Sequence, residues 1–333
     1  MAPSMPDAGI TASLVLGSAF LIGVPGNFLV IWIILCTMRQ RSPTVVLILN
    51  LAVADFLVLI TLPLWIYAFL NSWDFGQAMC KIISYIVCCN MYISVFLIMM
   101  MSIDRFLAVL YPFVIQKWRK NHVVVKTVLV VWILAFLFSI PILLVQEIDT
   151  DPSGNQQCFY RNYSSDGQQK IICLGLETSV GFAIPFTVLT VCYMCVGKRV
   201  KQMTYKKKNQ TSMLIARIVI VFVVCWFPYH LFNLLEIASI LIETTEVSTR
   251  FKHISDTGSY LSGALAFISS SINPLLYAFA ARNFRQGFLS SKLAKVFEQM
   301  IENTKEESTK EDINMLQKES GSLVNDLESQ MFL

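Results

Sequence analysis

The sequence predicts an all-α membrane protein, a seven-transmembrane helix bundle followed by a short amphipathic eighth helix. Three observations carry this. Only 14% of the 333 residues are charged and 55% are hydrophobic, with a mean hydropathy of +0.60; a water-covered surface needs roughly 25% charged residues. Seven runs are long and apolar enough to cross a bilayer. The basic residues gather on alternate connections between those runs.

Five runs contain no Asp, Glu, Lys or Arg: Ala8–Met38, Ile82–Ile103, Thr127–Gln146, Ile218–Leu235 and Thr257–Ala281. Two more carry one acid each, Ser42–Trp73 with Asp55 and Ile171–Gly197 with Glu177. A span takes about 20 apolar residues at the rise of a helix. Because every backbone amide inside lipid must find a partner within the segment, the spans are helices. With the N-terminus outside, sixteen Lys and Arg fall on the inner connections against five on the outer ones, and positive charge marks the cytoplasmic side. The opening "MAPSMPDAGI" has no basic region, so the first helix is expected to target itself without a cleaved signal.

The expected organisation is an extracellular segment 1–9, a membrane domain 10–282, a membrane-surface helix 283–300 and a disordered cytoplasmic tail 301–333. In the third part Phe284, Phe288, Leu289, Leu293, Val296, Phe297 and Met300 recur at helical spacing, with Arg285, Lys292 and Lys295 between them, the pattern of a helix lying on the inner leaflet. The tail turns abruptly to Glu, Lys, Ser, Thr and Asn and cannot bury a core. Ser308, Thr309, Ser320, Ser322 and Ser329 lie there among acids, as phosphorylation sites or as plain polar tail.

Of nine cysteines, only Cys80 and Cys158 sit on the outer side away from lipid depth. A disulfide between them would pin the loop after the fourth helix to the top of the third; two free thiols are the alternative. Asn162-Tyr163-Ser164 is an outer glycosylation sequon, whereas Asn209-Gln210-Thr211 faces the cytosol.

Polar groups at lipid depth need a reason, since a charge at the bilayer centre costs at least about 2.5–3.5 kcal/mol. Asp55 is the sharpest case. Asn27, Asn90, Ser94 and Asn273 fall near its depth, and Asn90 and Ser94, four apart, share a helix face. Together they could hold a hydrated monovalent cation such as sodium, or form a hydrogen-bond network that joins helices. Pro185, Pro228 and Pro274 each lie within a span and loosen it. Beside buried Trp226 and Tyr277 they suggest a bundle with two packings of similar energy. Asp104 and Arg105, side by side, close the long apolar run of the third helix at its inner end. An arginine neutralised by its neighbour there is a charge that can be released to another partner.

These marks, taken in order, resemble the rhodopsin-like G protein-coupled receptors: "GN" at Gly26-Asn27, "LAVAD" ending at Asp55, Cys80, "DRF" from Asp104, Trp132, Pro185 with Tyr193, "CWFP" from Cys225 and "NPLLY" from Asn273. The resemblance implies that Arg105 meets a G protein when the sixth helix swings outward. It implies that Trp226 senses the ligand, that Tyr193 and Tyr277 close around the released arginine, and that Phe222 and Pro274 are further activation switches. Asp55, Asn90, Ser94 and Asn273 become an allosteric sodium site, with no other cofactor. Lys208 stands where the sixth helix often supplies an acid, so the resting lock rests on Asp104.

Finer likeness is to the leukotriene B4 receptors of the chemoattractant branch, in "MYISVFLI", "LAVLYPFVIQKWR", "WFPYHLFNLLE" and "ALAFISSSINPLLYA". It implies a pocket with Glu177, Tyr229, His230, Asn233 and Tyr85. Ser84, Gln146 and Ser259 stand where those receptors carry a histidine and arginines, so a ligand carboxylate here would pair with Lys81, Arg161, Lys170, Lys252 or His253. Glu177 is either a charged partner or a protonated donor. The implied function is a receptor for a lipid mediator, leukotriene B4 or a related oxygenated fatty acid, acting through an inhibitory G protein in chemotaxis. Arrestin and a receptor kinase would engage the tail; nucleic acid is not among the implied partners. The alternative is a small-peptide chemoattractant receptor, for which the outer acids Glu147, Asp149, Asp151, Glu243 and Glu246 speak.

Other classes find little support. Val87 stands where amine receptors put an aspartate, and the seventh run has no lysine for a retinal Schiff base. No inverted repeat or pore ring suggests a transporter or channel. His122, His230 and His253 are scattered, without a nucleophile or metal spacing to make an enzyme.

Overall fold

The computed structural model describes residues 5–36, 38, 41–113, 115, 121–150, 154–163, 167–202, 210–242 and 245–280. The surface helix 283–300, the tail 301–333, Asp151, Ser164, Lys208, Asn209 and Glu243, and the side chains of His122, His253 and Ser259, lie outside what is described. In chain order the helices are α1 (Met5–Cys36), α2 (Pro43–Leu59), α3 (Leu62–Leu70), α4 (Gly76–Leu110), α5 (Asn121–Val145), α6 (Gln168–Thr178), α7 (Ile184–Gln202), α8 (Gln210–Leu241) and α9 (Thr245–Ala280). Strands β1 (Gln146–Thr150) and β2 (Gln156–Arg161) lie between α5 and α6.

Seven membrane helices result, because two are interrupted. The second is α2 plus α3, broken at Ile60–Thr61 just ahead of Pro63. Proline has no N–H to give to the preceding turn, and the Thr61 hydroxyl donates to the Val58 carbonyl at 2.6 Å there. The fifth is α6 and α7 joined by a π-helical turn, Ser179–Ala183, directly before Pro185. Sequence reasoning placed a proline kink here but not the widened turn that precedes it. Pro228 and Pro274 lie inside α8 and α9 as expected.

Among the described residues, six of the seven show long, strongly apolar windows, with mean hydropathy from 1.9 to 3.0. The seventh, α9, is more polar because it turns Ser262, Ser269, Ser270, Ser271 and Asn273 into the bundle. Lipid-facing surfaces are apolar in the opposite sense: Leu14, Leu21 and Trp32 on α1, and Leu129, Ile133 and Leu137 on α5, are exposed.

The third membrane helix, α4, is the axis. Ten consecutive residues, Cys89 to Ile98, are buried; a helix buried on all its faces is one surrounded by others. It packs against α2, α5, α7, α8 and β1. Beside it, α1 lies on α9 closely enough that a Cβ on Gly26 would stand 2.8 Å from the Pro274 Cβ. The glycine of the "GN" pair is therefore a packing requirement: any larger side chain would push α1 off the kinked seventh helix.

An antiparallel hairpin caps one end, pairing Gln146 with Arg161 and Thr150 with Gln156 around a bulge between Glu147 and Asp149. The disulfide Cys80–Cys158 ties β2 to the first turns of α4, with Cα atoms 5.7 Å apart. Gln77 braces the hairpin from α4, donating to the Gln146 carbonyl at 2.8 Å and accepting from the Ile148 amide at 3.0 Å.

Candidate functional site

Three polar clusters occupy the axis of the bundle, one at the hairpin end, one in the middle and one at the far end of α4.

At the far end, Arg105 answers to Asp104 and to a residue the sequence did not suggest. Its Nη2 donates to Asp104 Oδ2 and to Thr44 Oγ1, both at 2.7 Å, while Nε reaches the same carboxylate at 3.1 Å. Thr44, on α2, in turn donates to Asp104 at 3.4 Å. The two charged side chains are only 15% and 11% exposed, so removing one partner would leave a poorly solvated charge and cost more than losing a surface ion pair. Thr44 is 61 residues away in sequence and carries no pattern of its own, which is why it was missed. The Tyr277 hydroxyl is buried without a partner among the described residues, and that of Tyr193 lies by Ser102.

In the middle, Asp55 is fully buried and accepts from the Asn273 amide at 2.7 Å. Asn90 donates to Ser270 at 3.0 Å, and Asn27 donates to the Gly23 and Ser270 carbonyls. These bonds join four membrane helices through their donors. Their acceptors are left over: Asn27 Oδ1, Asp55 Oδ1, Asn90 Oδ1 and Ser94 Oγ are buried with no partner among the described residues. These oxygens, with the formal charge of Asp55, are the groups that could hold a cation, since hard cations take oxygen ligands.

At the hairpin end the sequence-derived pocket residues meet a cation. Arg161, the last residue of β2, donates from Nη1 to Glu177 Oε2 and from Nη2 to the Tyr229 hydroxyl, each at 3.1 Å. Tyr229 closes the ring by donating to Glu177 Oε1 at 2.7 Å. Burial works against the Arg161 charge, but the Tyr229 oxygen and the Glu177 carboxylate outweigh it and hold its pKa above the ordinary arginine value. Tyr229, Asn233 and Glu236 fall at i, i+4 and i+7 on α8 and so share a face. Each finds a partner across from it: Glu177, Thr178 (3.5 Å) and Lys170 respectively. Lys170 also lies over the Tyr163 ring, 5.7 Å from its centre.

Beneath this ring the floor is aromatic. Trp226 stands edge-on to Tyr229 with centres 6.0 Å apart, Phe222 lies 6.0 Å below it, and His230 stacks on Phe182 at 5.0 Å. Both ring nitrogens of His230 are buried without a partner among the described residues. Tyr85 points elsewhere, donating to the Phe136 carbonyl of α5 at 3.0 Å. Asn162, the sequon asparagine, is exposed beside Glu147. A groove of about 470 Å³ between α4 and α5, lined by Phe96, Met99, Lys126 and Val130 among others, opens toward lipid and belongs to none of the three clusters.

Ser84 and Gln146 are spent on the hairpin. Ser84 Oγ lies 3.8 Å from Cys158 Sγ, and Gln146 Nε2 donates to the Cys158 carbonyl at 3.0 Å. Both positions therefore lie against the disulfide-bonded strand, and the cation at this end of the bundle is Arg161 of the hairpin.

The profile of the family described as "7 transmembrane receptor (rhodopsin family)" matches residues 26–277. The chain belongs to the rhodopsin family of seven-transmembrane receptors. Among curated relatives, human leukotriene B4 receptor 1 is 35% identical over 290 residues, covering 85% of this chain and 82% of the relative. Human atypical chemokine receptor 3 is 31% identical over 303 residues, with 89% and 83% covered. Type-1 angiotensin II receptor A of Xenopus laevis is 31% identical over 287 residues, with 84% and 78% covered. As a member of the rhodopsin family the chain is a multi-pass membrane receptor with a ligand and a G protein as partners, and it is not an enzyme.

Proposed function

We propose that this receptor answers to a lipid mediator, leukotriene B4 or a related oxygenated fatty acid, and signals through an inhibitory G protein in chemotaxis. The observation that carries the reading is the hairpin-end site, a charged and hydrogen-bonding ring of Arg161, Glu177 and Tyr229 set over an aromatic floor. Such a site suits a polar head on an apolar body, since ligand pockets combine mostly apolar walls with a few placed polar groups. The name and 35% identity of the human leukotriene receptor support the same reading. The hairpin end and the N-terminus face outward at the plasma membrane, with Asn162 glycosylated, and arrestin and a receptor kinase act on the tail. Asp55, Asn90, Ser94 and Asn273 hold an allosteric sodium ion, a role supported by the unpartnered oxygens around Asp55.

The test is G-protein activation in cells expressing the chain, screened against leukotriene B4 and a panel of hydroxy fatty acids. A rise in inhibitory signalling at nanomolar lipid is the expected result, and silence across the panel overturns the reading. The second reading is a small basic peptide. The exposed acids Asp149 and Glu246 near the hairpin end favour it, as do the chemokine and angiotensin receptors among the relatives.

A further inference from the structure

Five cations near the hairpin end are available to a carboxylate by sequence, and the structure separates them. Lys252 is exposed on α9, and Lys81 lies partly exposed on the first turns of α4. Lys170 is paired with Glu236. The His253 side chain is not described. Of the described cations, Arg161 is the one brought against both Glu177 and the hydroxyl of Tyr229, which itself stands on Trp226. It is held there by the Cys80–Cys158 disulfide three residues before it and by its own pairing with Gln146.

Two features of this placement point to a ligand. A guanidinium has five N–H donors in a planar fork; the bonds to Glu177 and Tyr229 use one each and the Tyr163 hydroxyl takes another, so donors remain for a ligand. At the same end of the bundle lie buried polar atoms with no partner among the described residues: Glu236 Oε2 and both nitrogens of His230. Buried polar groups left without partners in a folded protein call for a water, an ion or a ligand group. Glu236 offers an acceptor and His230 both a donor and an acceptor, a combination that hydroxyl groups satisfy and that a plain hydrocarbon chain does not.

We propose that Arg161 is the carboxylate anchor of this receptor, selecting hydroxylated fatty acids in their ionised form, and that Glu177 is the resident counter-anion with which the ligand competes. The proposal rests on the lipid reading above and deepens it. The ligand carboxylate takes the place of Glu177 Oε2 on the guanidinium. Glu177 keeps the Tyr229 hydrogen bond through Oε1, so the α6–α8 contact survives the exchange. Because Tyr229 touches both the anchor and Trp226, occupancy of Arg161 is sensed at the aromatic floor. The competing carboxylate limits affinity, and for that reason Arg161 and Glu177 have opposite effects on an acid although they form one ion pair.

The experiment compares an acid with its uncharged ester in wild-type, R161A and E177Q receptors at matched surface expression, using leukotriene B4 and its methyl ester, then each active acid of the panel with its ester. Arg161→Ala is expected to raise the half-maximal concentration of the acid by about 30-fold or more, the lower end for losing one partner of a buried charge pair. The ester shifts little. Glu177→Gln keeps an acceptor for Tyr229 without the charge, and is expected to sensitise the receptor to the acid by about tenfold, or about 1.4 kcal/mol, but not to the ester. The ester is the folding control, because a collapsed site loses both probes together. Equal shifts for acid and ester in R161A overturn the assignment of Arg161 while leaving the lipid reading intact. Loss of acid response in E177Q, matching that of R161A, makes the pair a structural clasp and overturns the competition. A wild-type receptor unmoved by every acid overturns both readings. An R161A receptor that gains response to a basic peptide overturns the proposal too, since Arg161 would then be standing in for the ligand's own cation.

Discussion

Replacing Thr44 by valine should raise the ligand-independent activity of the receptor. The change is close to isosteric, so packing on α2 is kept while one hydroxyl is lost. That hydroxyl accepts from Arg105 Nη2 at 2.7 Å and donates to Asp104 at 3.4 Å. A hydrogen bond to a charged group is worth about 1.5–3 kcal/mol. The side chains here are 15% and 11% exposed rather than sealed, and the 3.4 Å contact is weak, so about 1.4 kcal/mol is the reasonable figure, tenfold in an equilibrium constant. If the resting state retains Arg105 and the active state releases it, an active population of about 1% becomes about 10%. Basal nucleotide exchange on the G protein, measured without ligand at equal surface expression, reads this directly. Asp104→Asn, which removes the charge partner itself, should raise it further. Unchanged or lowered basal exchange in T44V, alongside a rise in D104N, would refute the idea that Thr44 holds the arginine at rest.

Asp55→Asn should abolish any difference in agonist affinity between sodium and choline buffers, because it removes the one formal charge among the unpartnered oxygens; a sodium effect of undiminished size would count against the cation site. Cys158→Ser should sharply reduce surface expression and ligand response, since the bridge closes a separation of 78 residues, and closing a loop of that size is worth about 4 kcal/mol in chain entropy. Thermal denaturation in detergent should show Gly26→Leu losing about 1–3 kcal/mol to overpacking, because even a Cβ would sit 2.8 Å from Pro274. A melting point equal to wild type would show that α1 can move away without loss.

The membrane helices were legible because lipid imposes a one-dimensional rule: each span must be apolar for its whole length and satisfy its own backbone. The same rule made Asp55 and the Asp104–Arg105 pair conspicuous, since charges at or beside lipid depth are costly enough to be noticed singly. Pro63 with Thr61, and the π turn before Pro185, were less legible, because a break in the backbone depends on how neighbours absorb it. For pocket residues the sequence supplied candidates but not geometry. Glu177, Tyr229 and Asn233 do come together, whereas Tyr85 is turned to α5 and Ser84 and Gln146 are taken by the hairpin.

By itself, then, the sequence determined the seven spans, the polar residues lodged within them and the cysteine pair on one side, all of them properties of single segments against water and lipid. Tertiary structure alone decided that Thr44 completes the hold on Arg105, and that Arg161, among the described candidate cations, is the one set against Glu177 and Tyr229. Those choices depend on which loop a disulfide draws over which helices. Contacts between residues tens of positions apart are set by packing, and no period or composition along the chain records them.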